Sequence, residues 1–333
     1  MDDIPFLVPQ FRVRRLPAPE LRQDPVTGRW TIISTDRLAR PQEVRAVAPP
    51  TRLETCPFCA GHEVLTPVET YSIRSGGNWR VRVVPNMYPA LLPTGGPAHG
   101  RHEVVVECPH HEVSLANLAA DHVADVLRVY RDRIVAAKHD PRLVYPFVFK
   151  NQGADAGASL EHAHSQLVLL PRVPLIVAEE LAGGAAHHAT TGRCIYCDLL
   201  SDEGRSGERL VLDSPRFIAL LAYAGRFPFE TWLLPKPHAS HFETISDDEA
   251  AELGEVLRSV LRKLAVGLGD PPYNFFVHTS PLSEPPLPHY HWHLELLPRV
   301  AGVAGFECGT GCAINPVPPE QAAAYLRGVN ERA

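Results

Sequence analysis

No apolar run in this 333-residue sequence approaches the roughly 18 residues that a membrane-crossing helix needs, and the longest, Phe217 to Ala224, has the length of a buried strand. The opening MDDIPFLVPQ carries neither the basic start nor the apolar stretch of a secretory or mitochondrial address, so a cytoplasmic protein without a membrane partner is expected. Positive charge is also scarce. Thirty-two Lys and Arg against 38 Asp and Glu leave a net charge of −6, which argues against a nucleic-acid or anionic-membrane partner. Small anionic substrates stay open, because they need only a local cradle. Charged residues at 21% and hydrophobic residues at 45% are ordinary globular values, so disorder throughout is excluded and the length allows two domains.

What the chain has in plenty is proline, 33 residues, and histidine, 17 residues, the latter in clusters. Of seven cysteines, four form the Cys-x-x-Cys pairs Cys56/Cys59 and Cys194/Cys197, which in a reducing compartment read as metal ligands or redox pairs before disulfides. Cys108, Cys308 and Cys312 are left to fill core positions.

An internal repeat organises the sequence. At an offset of 127 residues, HAHSQLVLLPRV (162–173) aligns with HYHWHLELLPRV (289–300) without a gap, and the same register pairs His111 with His238 and Arg131 with Arg258. The cysteine pairs stand 138 residues apart, the excess being loop-sized. Two copies of one domain follow, divided as 1–180 and 181–333, with a linker expected around Leu181 to Arg193 at Gly183-Gly184. In each copy a β-branched and aromatic strand, 102–109 or 229–237, precedes an amphipathic helix, 115–137 or 245–268; then come a short strand and the histidine row. Ser246 and Glu249 have the spacing of a capping box.

On a strand, residues two apart share a face, so His162, His164 and Gln166 form one functional row and His289, His291 and His293 another. The repeat register selects two matched ligand sets, Cys56, Cys59, His111 and His162 in the first copy and Cys194, Cys197, His238 and His289 in the second. Four such ligands predict a closed structural zinc site in each. With His162 on zinc, His164 is left free beside the small-residue loop 151–159, which includes Asn151, Gly157 and Ser159 and whose backbone N–H groups can approach an anion. The second copy has PLSEPPLP there, and proline removes those donors. The chemistry therefore belongs to the first copy. His164 is predicted to attack phosphorus and hold a phosphoramidate, while Gln166, which cannot act as an acid, donates a hydrogen bond to the group in transit.

These residues, with Asp24-Pro-Val-Thr-Gly28-Arg-Trp30, Arg37, Arg40-Pro41, Cys56-Pro-Phe-Cys59, Asn86 and the loop 151–159 in order, resemble the galactose-1-phosphate uridylyltransferase family of the histidine-triad superfamily. The resemblance implies an α+β fold of two tandem histidine-triad-like domains, antiparallel sheets with packed helices. It implies a double-displacement nucleotidyltransferase moving UMP between UDP-glucose and a hexose 1-phosphate, its partners a nucleotide sugar and a sugar 1-phosphate, through a nucleotidyl-His164 intermediate. By carry-over Asn86 contacts the nucleoside, Asn151 and Ser159 hold the phosphates, and Arg37 and Arg40 reach them from the other subunit of a homodimer. Ala163, Met87 and Thr310-Gly311 depart from the uridylyltransferase pattern. The paired ligands of the second copy are more similar to relatives that act on ADP-glucose. An adenylyltransferase or phosphorylase taking ADP-glucose or a dinucleoside polyphosphate is thus the alternative, and a zinc-stabilised nucleotide-binding protein without turnover a third reading. Some relatives place iron in the second half, which here would fall on Glu180, His278, His291 and His293.

Overall fold

The structure, a computed structural model, describes residues 3–6, 8–39, 56–94, 96, 98–112 and 114–331. Among these, ten antiparallel strands form one continuous sheet shared by both copies. From one edge to the other the order is Leu210–Asp213, Phe217–Leu221, Thr231–Pro235, His293–Pro298, Tyr273–His278, Tyr145–Gln152, His164–Leu170, Arg101–Val106, Asn78–Pro85 and Tyr71–Ser75. The copies meet where Tyr145–Gln152 pairs with Tyr273–His278, in a register that sets Phe149 opposite Phe276 and Asn151 opposite Asn274.

One face of this sheet is covered by the two predicted helices. The helix Ala120–Ala137 buries Val123, Val126, Leu127, Tyr130 and Ile134 at three- and four-residue spacing, and Asp247–Leu268 buries Leu253, Leu257, Val260, Leu261 and Leu264. The second starts on the predicted capping box, with Ser246 Oγ accepting from the Glu249 N–H and the Glu249 carboxylate from the Ser246 N–H. The first starts later than its apolar pattern, because Leu115–Asn117 forms a separate 3-10 turn capped by Ser114. Leu167 and Leu169 point into this helix-covered core. Period-2 alternation therefore turns His164 and Gln166 to the opposite face.

The stretch read as a linker is helical. Leu175–Thr191 runs as one helix through the 180/181 division, and Gly183 and Gly184 serve contact instead of flexibility. A Cβ on Gly183 would lie 1.8 Å from the Val26 carbonyl oxygen, and one on Gly184 would lie 2.4 Å from that of His289. What docks there is the turn of the opening motif, where the Asp24 carboxylate accepts from the N–H groups of Val26 and Thr27 and Gly28 takes a positive φ. Its flanking strands Glu20–Gln23 and Trp30–Ile33 pair antiparallel, and the second pairs parallel with Ala313–Asn315 near the other end of the chain. Of the cysteines assigned to the core, Cys108 is buried, whereas Cys308 is exposed and Cys312 half-buried.

Alanine normally favours a helix over glycine by about 1 kcal/mol. At position 183 the sign should reverse, since the added methyl must push the Val26 backbone aside at an overpacking cost of about 1–3 kcal/mol. Thermal melting of Gly183→Ala is expected to begin several degrees lower; a raised melting temperature would show that the turn does not bear on this helix.

Candidate active site and metal clusters

The strand His164–Leu170 carries the row that matters. His164 is 7% exposed, and its Nδ1–H donates to the carbonyl of His162 at 2.8 Å, leaving Nε2 with a free lone pair. Burial, reinforced by the nearby Lys150 charge, holds its pKa down to about 4, so the ring is neutral and nucleophilic at physiological pH. Phe58, from the Cys-Pro-Phe-Cys turn, packs on it with ring centroids 5.3 Å apart.

Beneath the strand, on the helix side, lies an ion pair the sequence did not announce. Lys150 and Glu107 have fully buried side chains 2.7 Å apart, and Lys150 Nζ also donates to the His164 carbonyl at 3.0 Å. Tyr130 donates to Ser165 Oγ at 2.6 Å, tying the same strand to the helix. These groups clamp the backbone at His164 and Ser165.

The 151–159 loop departs from its expected role in one respect. Its Ala156, Gly157 and Ala158 N–H groups are used internally, bonding to the Gly153 and Ala154 carbonyls, so they do not form the anion cradle. Gly153 and Gly157 take the positive φ that this tight turn requires. Side chains remain as donors. Asn151 Oδ1 accepts from Asn274 Nδ2 at 2.8 Å, which turns the Asn151 NH2 away from that bond and towards Gly157, and Ser159 is exposed at the loop's end. Asn274 belongs to the second copy and was missed; only the strand pairing reveals it. Asn86 sits beside Gln166, with Nδ2 3.4 Å from Gln166 Oε1. Arg37 is exposed on the 3-10 turn Thr35–Ala39, and Arg40 lies outside the described residues.

Two clusters have the donors and spacing for zinc. In the first, Cys56, Cys59, His111 and His162 place one ligand atom each within 4.8 Å of the others. The sulfur-to-Nδ1 separations are 3.4 Å for Cys56–His162, 3.5 Å for Cys59–His111 and 3.6 Å for Cys59–His162. Ordinary Zn–S and Zn–N bond lengths around a tetrahedral ion give an edge of about 3.6 Å, which these match. The outer nitrogen of His162 donates to the Cys108 carbonyl at 2.9 Å, fixing the tautomer that leaves Nδ1 for metal.

The second cluster corrects the expected ligand set. Cys194, Cys197 and His238 are joined by His291, not His289. Cys197 Sγ lies 3.4 Å from His238 Nδ1 and 3.7 Å from His291 Nδ1, and His291 Nε2 donates to the Pro235 carbonyl at 2.8 Å as His162 does to Cys108. His289 is half-buried in the preceding loop, its ring beside His188. The reason is a loop two residues longer in the second copy, which moves the structural offset of the histidine strand from 127 to 129. A two-residue slip preserves which face each side chain takes, so alternation could not expose it.

With that register, His293 is the counterpart of His164 and Glu295 that of Gln166. The His164–His162 bond recurs as His293 Nδ1 to the His291 carbonyl, 3.1 Å. The surroundings are otherwise opposite. Glu180, His278, His293 and Glu295 converge, with Glu180 2.8 Å from His278, and the residue previously grouped with them, His291, belongs to the cysteine cluster instead. Burial opposes a charged ring at His293, but Glu295 and Glu180 outweigh it and raise its pKa. Arg226 pairs with both Glu230 and Glu295, so this pocket already contains its own counter-ion. A carboxylate where the first copy has an amide would repel a phosphate.

The N-terminal domain model of galactose-1-phosphate uridyl transferase matches residues 91–174 and the C-terminal domain model residues 182–332. The chain belongs to the galactose-1-phosphate uridylyltransferase family and is an enzyme of the nucleotidyltransferase type. It is 41% identical to the ADP-glucose phosphorylase of Arabidopsis thaliana, covering 94% of this chain and 93% of that one. Against the galactose-1-phosphate uridylyltransferase of Thermotoga maritima the identity is 30%, over 92% and 98%. The crystal structure of the Arabidopsis ADP-glucose phosphorylase with bound ADP-glucose superposes with a TM-score of 0.85 at 40% identity, over 94% of this chain and all of that one. No helix among the described residues is long and apolar enough to cross a membrane.

Elemental analysis of purified variants is expected to show about one zinc lost in Cys56→Ser, and about one lost in His291→Ala but none in His289→Ala. Zinc loss in His289→Ala would restore the 127-residue register. In the buried pair, Lys150→Met strands the Glu107 carboxylate and should cost about 3–5 kcal/mol of stability, much of it recovered in Lys150→Met with Glu107→Gln. Equal melting of wild type and the single variant would remove the pair from the clamp.

Proposed function

We propose that the protein transfers an adenylyl group from ADP-glucose to phosphate through a covalent adenylyl-His164. The observation that carries nucleotidyl transfer is the tautomer of His164, whose Nδ1–H is committed to the His162 carbonyl while Nε2 is free. In the first step Nε2 attacks the α-phosphorus, a P–N bond forms, the bond to the bridging oxygen breaks, and glucose 1-phosphate leaves. In the second, a phosphate oxygen attacks the same phosphorus, the P–N bond breaks, and ADP leaves with the ring neutral again. Gln166 donates to the non-bridging oxygens as charge shifts between them. Asn151 and Ser159 contact the phosphates and Asn86 the nucleoside. Zinc would be held by Cys56, Cys59, His111 and His162 in the first copy and by Cys194, Cys197, His238 and His291 in the second, where it would brace the histidine strands and supply structure, not a substrate position.

Adenine is favoured over uracil by the 41% identity to the ADP-glucose phosphorylase, against 30% for the uridylyltransferase, and by the second cysteine–histidine cluster. UMP transfer between UDP-glucose and a hexose 1-phosphate is the second reading, supported by the family models. Both predict ping-pong kinetics.

Initial rates with ADP-glucose and phosphate should give parallel reciprocal lines, and glucose 1-phosphate should exchange label into ADP-glucose without phosphate. His164→Ala should lose both reactions, by at least ~10³-fold, while keeping its zinc. Intersecting lines with no exchange would mean direct in-line transfer, and faster exchange with UDP-glucose than with ADP-glucose would return the uridylyl reading.

A further inference from the structure

Gln166 can serve a phosphoryl group only if its amide NH2, and not its oxygen, faces the site, and an amide has no intrinsic preference between the two ends. His102 supplies that preference. It stands on the strand Arg101–Val106 opposite Val168, while Gln166 stands opposite Val104, so the two side chains are diagonal neighbours on one face of the sheet. The Ala90 N–H donates to His102 Nδ1 at 3.1 Å, which makes Nδ1 an acceptor and leaves the ring proton on Nε2. That Nε2–H donates to Gln166 Oε1 at 2.7 Å.

A second donor closes the choice. Asn86 Oδ1 accepts from the Tyr88 N–H at 2.8 Å, so the amide end of Asn86 that faces Gln166 is its NH2. Asn86 Nδ2 is 3.1 Å from His102 Nε2, where two donors would meet, and 3.4 Å from Gln166 Oε1, which can accept. The Gln166 oxygen is thus held by two N–H groups, and among the described residues no acceptor takes up its NH2. A flipped Gln166 would set its NH2 against both donors at once.

We propose that His102 is a positioning residue for nucleotidyl transfer. The relay from the Ala90 amide through the His102 ring locks the Gln166 amide with its NH2 towards the transferring phosphoryl group. The inference rests on the role given to Gln166 under the proposed function. It makes His102 act on the transition state through Gln166, without touching substrate.

The test is a double-mutant cycle on phosphorolysis of ADP-glucose, with His102→Ala, Gln166→Ala and the double variant. His102→Ala should lower kcat ~10- to 100-fold with KM for ADP-glucose changed less than ~3-fold, as loss of orientation predicts. The double variant should be no slower than Gln166→Ala alone. His102→Gln, whose NH2 can replace the Nε2–H, should recover most of the rate, and His102→Asn, too short to reach, should not. That last pair decides the matter if His102→Ala fails to fold. Multiplying losses in the double variant, a defect confined to KM, or equal rates in the Gln and Asn variants would overturn the proposal while leaving the covalent scheme standing. Wild-type rates in Gln166→Ala would overturn it by removing the premise instead.

Discussion

The hydrogen bond from His164 Nδ1 to the carbonyl two residues before it, 2.8 Å long, decides which ring nitrogen is left free, and cysteine, lysine and tyrosine contacts in the first copy hold the backbone around it. The carbonyl belongs to His162, whose ring is held by Cys56 and Cys59 on one side and the Cys108 carbonyl on the other. The next carbonyls and hydroxyls along the strand are held from below by Lys150 and Tyr130. The cysteine contacts of His162 and a buried ion pair thus act on the same few backbone atoms. Both supply rigidity where free rotation of an imidazole would otherwise exchange its free and its bonded nitrogen.

The same backbone device stands in the second copy in different surroundings. His293 makes the corresponding bond to His291, and the cysteine–histidine cluster behind it is of the same kind. Three local differences set it apart: Glu295 takes the place of Gln166, Arg226 pairs with it, and a proline-rich loop replaces the small-residue loop. Carboxylates then raise the proton affinity of His293 where burial and Lys150 lower that of His164. One scaffold holds a neutral imidazole in one half and a charge-balanced network in the other. The second half still contributes to the site, through the Asn274 amide that orients Asn151 across the shared sheet.

The repeat, the two long helices and their capping box, and the convergence of Cys56, Cys59, His111 and His162 were legible in the sequence, because each rests on local periodicity, on motif spacing or on the repeat register. His289 was chosen over His291 because the identical LLPRV ends of both rows anchor the alignment, while the two-residue insertion lies in a loop with no similarity to reveal it. Gly183-Gly184 read as a linker because glycine marks both flexible chain and close contact, and only the docked Val26 turn distinguishes them. Lys150, Glu107 and His102 carry no motif. Their meaning comes from strand register, which sets Lys150 under the His164 backbone and His102 diagonal to Gln166. In the small-residue loop the Ala156, Gly157 and Ala158 N–H groups close the turn on itself, a choice that φ values decide and composition does not.

The central claim is that one nitrogen of one histidine carries the nucleotide. A crystal structure of the protein incubated with ADP-glucose and freed of phosphate tests it most directly. Continuous density from His164 Nε2 to the phosphorus of AMP, with Nδ1 still bonded to the His162 carbonyl, is the expected result. AMP attached at Nδ1 or at His293, or intact ADP-glucose with no bond to protein under conditions where the enzyme turns over, would contradict it.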